Sequence, residues 1–97
     1  MNDAVSCQDL KKNLSKFYII DVREDDEYKE GYVKGAVHIP LGKLIRDEGL
    51  GIVPRNKKIV VYCRSGLRGS MAQKFLEERG YDVLNLEGGY RNFKENK

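Results

Sequence analysis

Nothing in this chain points to a membrane, a secretory scaffold or a nucleic-acid groove. No apolar run approaches the roughly 20 residues of a transmembrane helix, and the opening MNDAVSCQDLKKNL lacks the charged start, apolar stretch and small-residue cleavage site of a signal peptide. A cytoplasmic protein is therefore the expectation. Without a secretion signal, the only two cysteines, Cys7 and Cys63, are read as reduced thiols rather than a disulfide, which leaves Cys63 free to react. The net charge is a mild +3 although 34% of residues are charged. Lys11-Lys12 and Lys57-Lys58 alternate with acidic stretches such as Glu24-Asp25-Asp26-Glu27, so no basic face for nucleic acid is expected. Repeats, linkers and low-complexity segments are also missing. The 97 residues suffice for one core and not two, so 1–97 is read as a single domain, and the lack of a long tail or linker points to a monomer.

What is present is an alternation of strand and helix patterns. Ser6 and Asp9 have capping-box spacing ahead of a first helix from Cys7 to Leu14. Phe17 to Val22 reads as a strand, and the acidic run Glu24 to Glu30 as a short helix ending at Gly31. Ala36 to Ile39 is a second strand stopped by Pro40, after which Leu41, Leu44 and Ile45 fit one helical face. Lys58 to Cys63, KIVVYC, is uniformly apolar after its first residue, as a strand covered on both faces requires. Arg68 to Arg79 places Met71, Ala72, Phe75 and Leu76 on one helical stripe, with Gly80 as the stop. A strand at Asp82 to Leu86 and a helix from Gly89 to Glu95 close the order. This alternation implies an α/β sandwich with a mostly parallel sheet of four or five strands flanked by helices.

In open parallel sheets, sites lie beyond the carboxyl ends of the strands. Two such ends carry chemistry here: Asp21-Val22-Arg23 and the segment Cys63-Arg64-Ser65-Gly66-Leu67-Arg68. Cys63 closes a strand, Gly66 and Gly69 permit a tight loop, and a helix starts within a few residues, so free N–H groups can converge on the sulfur. A free thiol has a pKa near 8.5, and lowering it by ~2 units takes ~2.7 kcal/mol. A helix end supplies ~0.3–1 kcal/mol, while one arginine at ~6 Å adds about 3 kcal/mol at an effective dielectric of 20. Arg64 and Arg68 with the loop amides are thus sufficient to make a reactive thiolate, and the helix dipole alone is not. An inert core cysteine would gain nothing from that setting.

CRSGLR, preceded by VVY and followed by GSMAQKFLEERGY, resembles the active-site loop of the rhodanese (thiosulfate sulfurtransferase) family. DVREDDEYKEGYVKGAVHIP resembles that family's upstream signature, and LEGGY its segment after the last strand, so the resemblance runs from Val5 to Phe93. It implies a rhodanese-like three-layer sandwich around a catalytic Cys63. That residue would take a sulfane sulfur from a small anionic donor such as thiosulfate, or from a persulfide or polysulfide, and pass it to cyanide, a thiol or a protein cysteine. The resemblance implies no metal and no cofactor, because the cysteine is itself the carrier. Arg64, Ser65, Gly66, Leu67 and Arg68 are expected to bind substrate, and a sulfur-donating or sulfur-accepting protein is a further expected partner.

Asp21 and Arg23 are expected to brace neighbouring loops, Glu27 to be a helix residue or ion-pair member, and His38 and Cys7 to stand outside the chemistry. Gly88 and Gly89 either let the backbone approach the cleft or serve a plain turn. Tyr32 and Phe93 depart from the family pattern, where His and Trp are frequent, and read as packing variation. Two other readings compete. Phosphatases with this fold place five residues between Cys and Arg, whereas this loop has four, a cradle better sized for one sulfur atom than for a phosphate. Non-catalytic interaction modules commonly lack the loop cysteine.

Overall fold

The computed structural model describes residues 3–48 and 50–95; the outermost residues of the expected 1–97 domain and Gly49 lie outside the described residues. Five strands, β1 (Ala4–Val5), β2 (Phe17–Asp21), β3 (Val37–His38), β4 (Lys58–Tyr62) and β5 (Val83–Leu86), form one sheet in the order β1-β5-β4-β2-β3. Every pairing is parallel, so all carboxyl ends lie along one edge. Five α-helices connect or flank them: α1 (Cys7–Lys12), α2 (Asp25–Lys29), α3 (Leu41–Ile45), α4 (Leu67–Glu77) and α5 (Gly89–Glu95).

The uniformly apolar β4 works as its pattern predicts, alternate residues entering opposite cores. Ile59, Val61 and Cys63 pack with Ile20, Leu44, Ala72, Leu76 and Val83 on the α3/α4 side. Val60 and Tyr62 pack with Cys7, Leu10, Ile19 and Leu86 on the other side, against which Tyr90 and Phe93 of α5 also lie. The result is an α/β sandwich of helix, parallel sheet and helix.

Several expectations need correction. The two-residue strand β1 was not foreseen. It is too short for a period, and it exists because Asn85 N–H and Glu87 N–H donate to the carbonyls of Asp3 and Val5. Of the residues placed on helix faces, Leu44, Ala72 and Leu76 are buried, whereas Ile45 is 48% and Met71 54% exposed. The apolar stripe read from the sequence is thus wider than the face each helix buries. The first helix stops at Lys12 and a 3-10 turn, Leu14–Lys16, follows. The capping at Ser6 is present as a bond from Asp9 N–H to Ser6 Oγ at 3.1 Å.

Leu76→Ala is expected to remove about 2–5 kcal/mol of stability, and Met71→Lys to change it by no more than about 0.5 kcal/mol. Urea unfolding of both variants decides the point: comparable losses would put Met71 in the core after all.

Candidate active site

The loop after β4 folds back on its own cysteine. Gly66, at φ 120°, adopts a conformation that side chains resist, and its N–H points at Cys63 Sγ, 3.0 Å away. Helix α4 starts at the next residue, so its first amides are free of helical partners. Cys63 itself is 1% exposed. The other side of the loop is fixed by α5: Tyr90 N–H donates to Cys63 O at 2.8 Å and Arg91 N–H to Arg64 O at 3.1 Å. Gly89 permits this approach. At φ 65°, a Cβ there would lie 2.6 Å from both carbonyl oxygens, so the close-approach reading of this glycine holds and a plain turn does not account for it.

The two arginines of the loop are placed differently. Arg64 is exposed, and its guanidinium has no ion-pair partner among the described residues. Arg68 is not free. It forms a two-pronged bond to Glu27 of α2, Nη1 to Oε1 at 2.7 Å and Nη2 to Oε2 at 2.9 Å. That bond is the main cause holding the Glu27 carboxyl down at about 2, and it raises the Arg68 pKa, with the charge of Cys63 a lesser contributor to the latter. Contrary to expectation, the two arginine charges therefore do not both act in full on the sulfur, since the Glu27 carboxylate paired to Arg68 offsets its charge. Glu27 Oε1 also accepts the Glu24 N–H at 3.0 Å, capping α2 and fixing where Arg68 is held. Ser65 and Leu67 point outward, Leu67 at 75% exposure, so what Leu67 offers a ligand is its backbone amide.

Below the loop lies a buried polar network. Asp21 Oδ1 accepts the Arg23 backbone N–H at 2.9 Å, and its Oδ2 accepts Arg23 Nη2 at 2.6 Å and the Tyr62 hydroxyl at 2.7 Å. Tyr62 Oη in turn accepts the Val33 N–H, and Arg23 Nη2 donates to Gly31 O at 2.6 Å. Burial pushes the Tyr62 phenol far above its ordinary range. Burial works to lower the Arg23 pKa, but the hydrogen bonds and charge of Asp21 outweigh it and raise it. The guanidinium also faces the Tyr90 ring at 4.4 Å. His38 is bonded through Nε2 to Arg23 O at 2.8 Å and stacked on Tyr28. Tyr32 stacks on the other face of Tyr28, and Phe93 on Tyr90.

Outside the loop opens a pocket of about 460 Å³ whose lining includes Arg23, Glu27, Arg64, Tyr90, Arg91 and Lys94. Arg64 is the loop residue that reaches it; the sulfur does not line it. Cys7 lies away from all this, against the opposite face of the sheet from Cys63. Its thiol is raised by burial and accepts a bond from Asn92 Nδ2 at 3.2 Å. Among the described residues no cluster of three or more His, Cys, Asp or Glu is arranged for a metal ion, and no helix is long and apolar enough to cross a membrane.

Asn85 of β5 escaped the sequence reading. Its side chain ties Gly66 O and Ser70 Oγ at 3.2 and 3.0 Å. The signal was there: an asparagine inside Val-Leu-Asn-Leu is out of place in a strand unless its side chain has a partner to serve.

A parallel sheet with a cysteine loop at its carboxyl edge, closed by a helix N-terminus, defines the class, and the comparisons agree. Residues 6–96 match the family model described as Rhodanese-like domain, and the chain belongs to that family. YtwF of Bacillus subtilis is 39% identical over 88 residues, covering 88% of this chain and 84% of that protein. The thiosulfate sulfurtransferase PspE of Escherichia coli is 32% identical over 73 residues, covering 75% and 70%. Among solved structures, the human single-domain sulfurtransferase TSTD1 superposes with a TM-score of 0.88 at 25% identity, covering 100% of this chain and 99% of that one. By this homology the chain is a sulfurtransferase-family protein.

Two expectations follow from the geometry. Glu27→Gln is expected to destabilise the protein by about 1 kcal/mol at pH 7, the upper end for a partly exposed pair. The folded-state pKa of Glu27 is depressed from 4.5 to about 2, so the ionised carboxylate stabilises the fold above the unfolded value and loses that contribution as pH falls toward 2. The gap between wild type and variant in urea midpoints should therefore be smaller at about pH 3 than at pH 7; an equal gap at both would sink the assignment. Gly89→Ala is expected to cost about 1–3 kcal/mol through its left-handed backbone, and an unchanged urea midpoint would show that the turn at 88–91 yields freely.

Proposed function

We propose that Cys63 is the sulfur carrier of a thiosulfate-type sulfurtransferase. The observation that supports this best is the Gly66 N–H held 3.0 Å from Cys63 Sγ at the head of α4, an amide placed to meet negative charge on a sulfur. In the first half-reaction the Cys63 thiolate attacks the outer sulfur of thiosulfate. The S–S bond breaks, sulfite leaves with its electron pair, and Cys63 carries a persulfide anion. Gly66 N–H and the free amides of Leu67 and Arg68 receive the new charge. In the second half-reaction cyanide or a thiolate attacks the terminal sulfur, and the Cys63 thiolate departs. Neither step needs a general base or a change in the enzyme's redox balance.

Arg64, exposed and without an ion-pair partner among the described residues, is the residue we assign to drawing in an anionic donor. Arg68, braced by Glu27, keeps the first turn of α4 in place and lends the sulfur only its remaining field. Asp21 and Arg23 support the scaffold beneath the loop. Persulfides and polysulfides present the same outer sulfur and fit the same chemistry, as does a partner protein's cysteine as acceptor. The four-residue spacing from Cys63 to Arg68 suits this chemistry better than phosphate-ester cleavage.

Intact mass after incubation with thiosulfate is expected to rise by one sulfur atom and to return on adding cyanide, with thiocyanate released. Cys63→Ser should fold and never gain the sulfur. No gain with thiosulfate, polysulfide or a small-thiol persulfide would end the proposal.

A further inference from the structure

We infer that Asn85 is a positioning residue for the reactive loop, holding the Gly66 residue so that its N–H stays aimed at Cys63 Sγ. Asn85 stands in β5 in register with Val61 of β4, two residues before the cysteine. From there its amide nitrogen donates to Gly66 O at 3.2 Å and to Ser70 Oγ at 3.0 Å. Ser70 closes the triangle, donating to the same carbonyl from Oγ at 3.0 Å and from its backbone N–H at 2.9 Å. Three donors therefore converge on one carbonyl, of which only the Ser70 N–H belongs to the ordinary helical pattern.

The other half of the amide explains why this is an arrangement for function. Asn85 Oδ1 is the one buried side-chain polar atom among the described residues that lacks a hydrogen-bond partner. It lies against Gly69, where a Cβ would come within 2.4 Å of it. A valine at this strand position would bury no unpaired oxygen and would suit the strand better. Keeping the asparagine sacrifices stability for the two donors, and both donors serve the loop.

Gly66 needs such a tether. It is the most freely rotating kind of residue, it sits at φ 120°, and its N–H must stay on the sulfur while its carbonyl starts α4. Anchoring the carbonyl fixes the Gly66–Leu67 peptide, one of the two planes that meet at the Gly66 Cα, and so narrows the freedom of the other, whose N–H faces the sulfur. The same anchoring polarises the Gly66–Leu67 peptide, whose N–H is the first unpaired amide of α4. The charged groups around the loop are Arg64 in it, Arg68 of α4 with Glu27 of α2, Glu30 at the end of α2, Arg23 after β2, and Arg91, Lys94 and Glu95 of α5; none is bonded to Asn85 or Ser70.

The inference rests on Cys63 being the reacting thiol, yet its test does not require sulfur transfer. The rate of iodoacetamide alkylation at Cys63, read from the mass of its peptide, is measured between about pH 5 and pH 10. For Asn85→Val the profile is expected to move up by roughly 0.5–1 pH unit, slowing alkylation at neutral pH about three- to tenfold, with the urea midpoint unchanged or higher. Ser70→Ala should move the profile the same way by less. A folded Asn85→Val with the wild-type profile, or one that loses stability alone, overturns the inference. Should Asn85→Val fail to fold, a wild-type profile in Ser70→Ala overturns it equally. A shifted profile in a protein that accepts no sulfur would refute the proposed transfer and leave the positioning role standing.

Discussion

The buried ion pair of Asp21 and Arg23 sets the carboxyl edge of the sheet. A carboxylate without exposure must have its charge met, and here the side chain two residues along the same chain meets it. Each remaining bonding position of the pair then reaches a different element. The Tyr62 hydroxyl brings in β4, Gly31 O the turn after α2, the Tyr90 ring α5, and His38 the strand β3. Removing either charge would strand the other in the interior, a penalty of about 3–5 kcal/mol. The loop that carries Cys63 follows directly from Tyr62, so the thiol inherits its position from this pair.

Above that foundation the site is built mainly from backbone. The sulfur is met by a glycine amide, and the carbonyls of Cys63 and Arg64 are held by two amides of α5. Amides in a fixed peptide plane need no reorganisation when charge arrives, whereas long cationic side chains lose rotamer freedom each time they engage. Arg68 illustrates the difference: its fork matches the Glu27 carboxylate and is occupied there. What the arginine contributes is rigidity at the first turn of α4, while in the proposed function the long-range attraction of an anion falls to the exposed Arg64.

Much of this was legible in the residues. The unbroken apolar run of β4, the glycines and arginines after Cys63, and the acidic helix before Gly31 fix the element order and put the thiol at a strand-to-helix turn. What stayed hidden depends on pairing across long sequence separations. That Glu27 would claim Arg68, 41 residues away, follows from the sheet order β4-β2, which no local pattern encodes. Met71 and Ile45 show a further limit: periodicity gives the direction of a helix face but not how much of it is buried. In sequence Tyr62 is one more residue of the apolar strand, and its hydroxyl gains a role only because Asp21 lies opposite it in register.

The two outermost strands, β1 and β3, are each two residues long. Edge strands carry the unpaired donors and acceptors through which sheets recruit one another into aggregates, and a short edge offers few of them. A longer sheet of this all-parallel, apolar kind would need charged or bulged margins to stay dispersed. Here β1 and β3 each offer only two residues as an outer ladder, while the hydrophobic centre at β4 is paired on both sides, by β2 and β5.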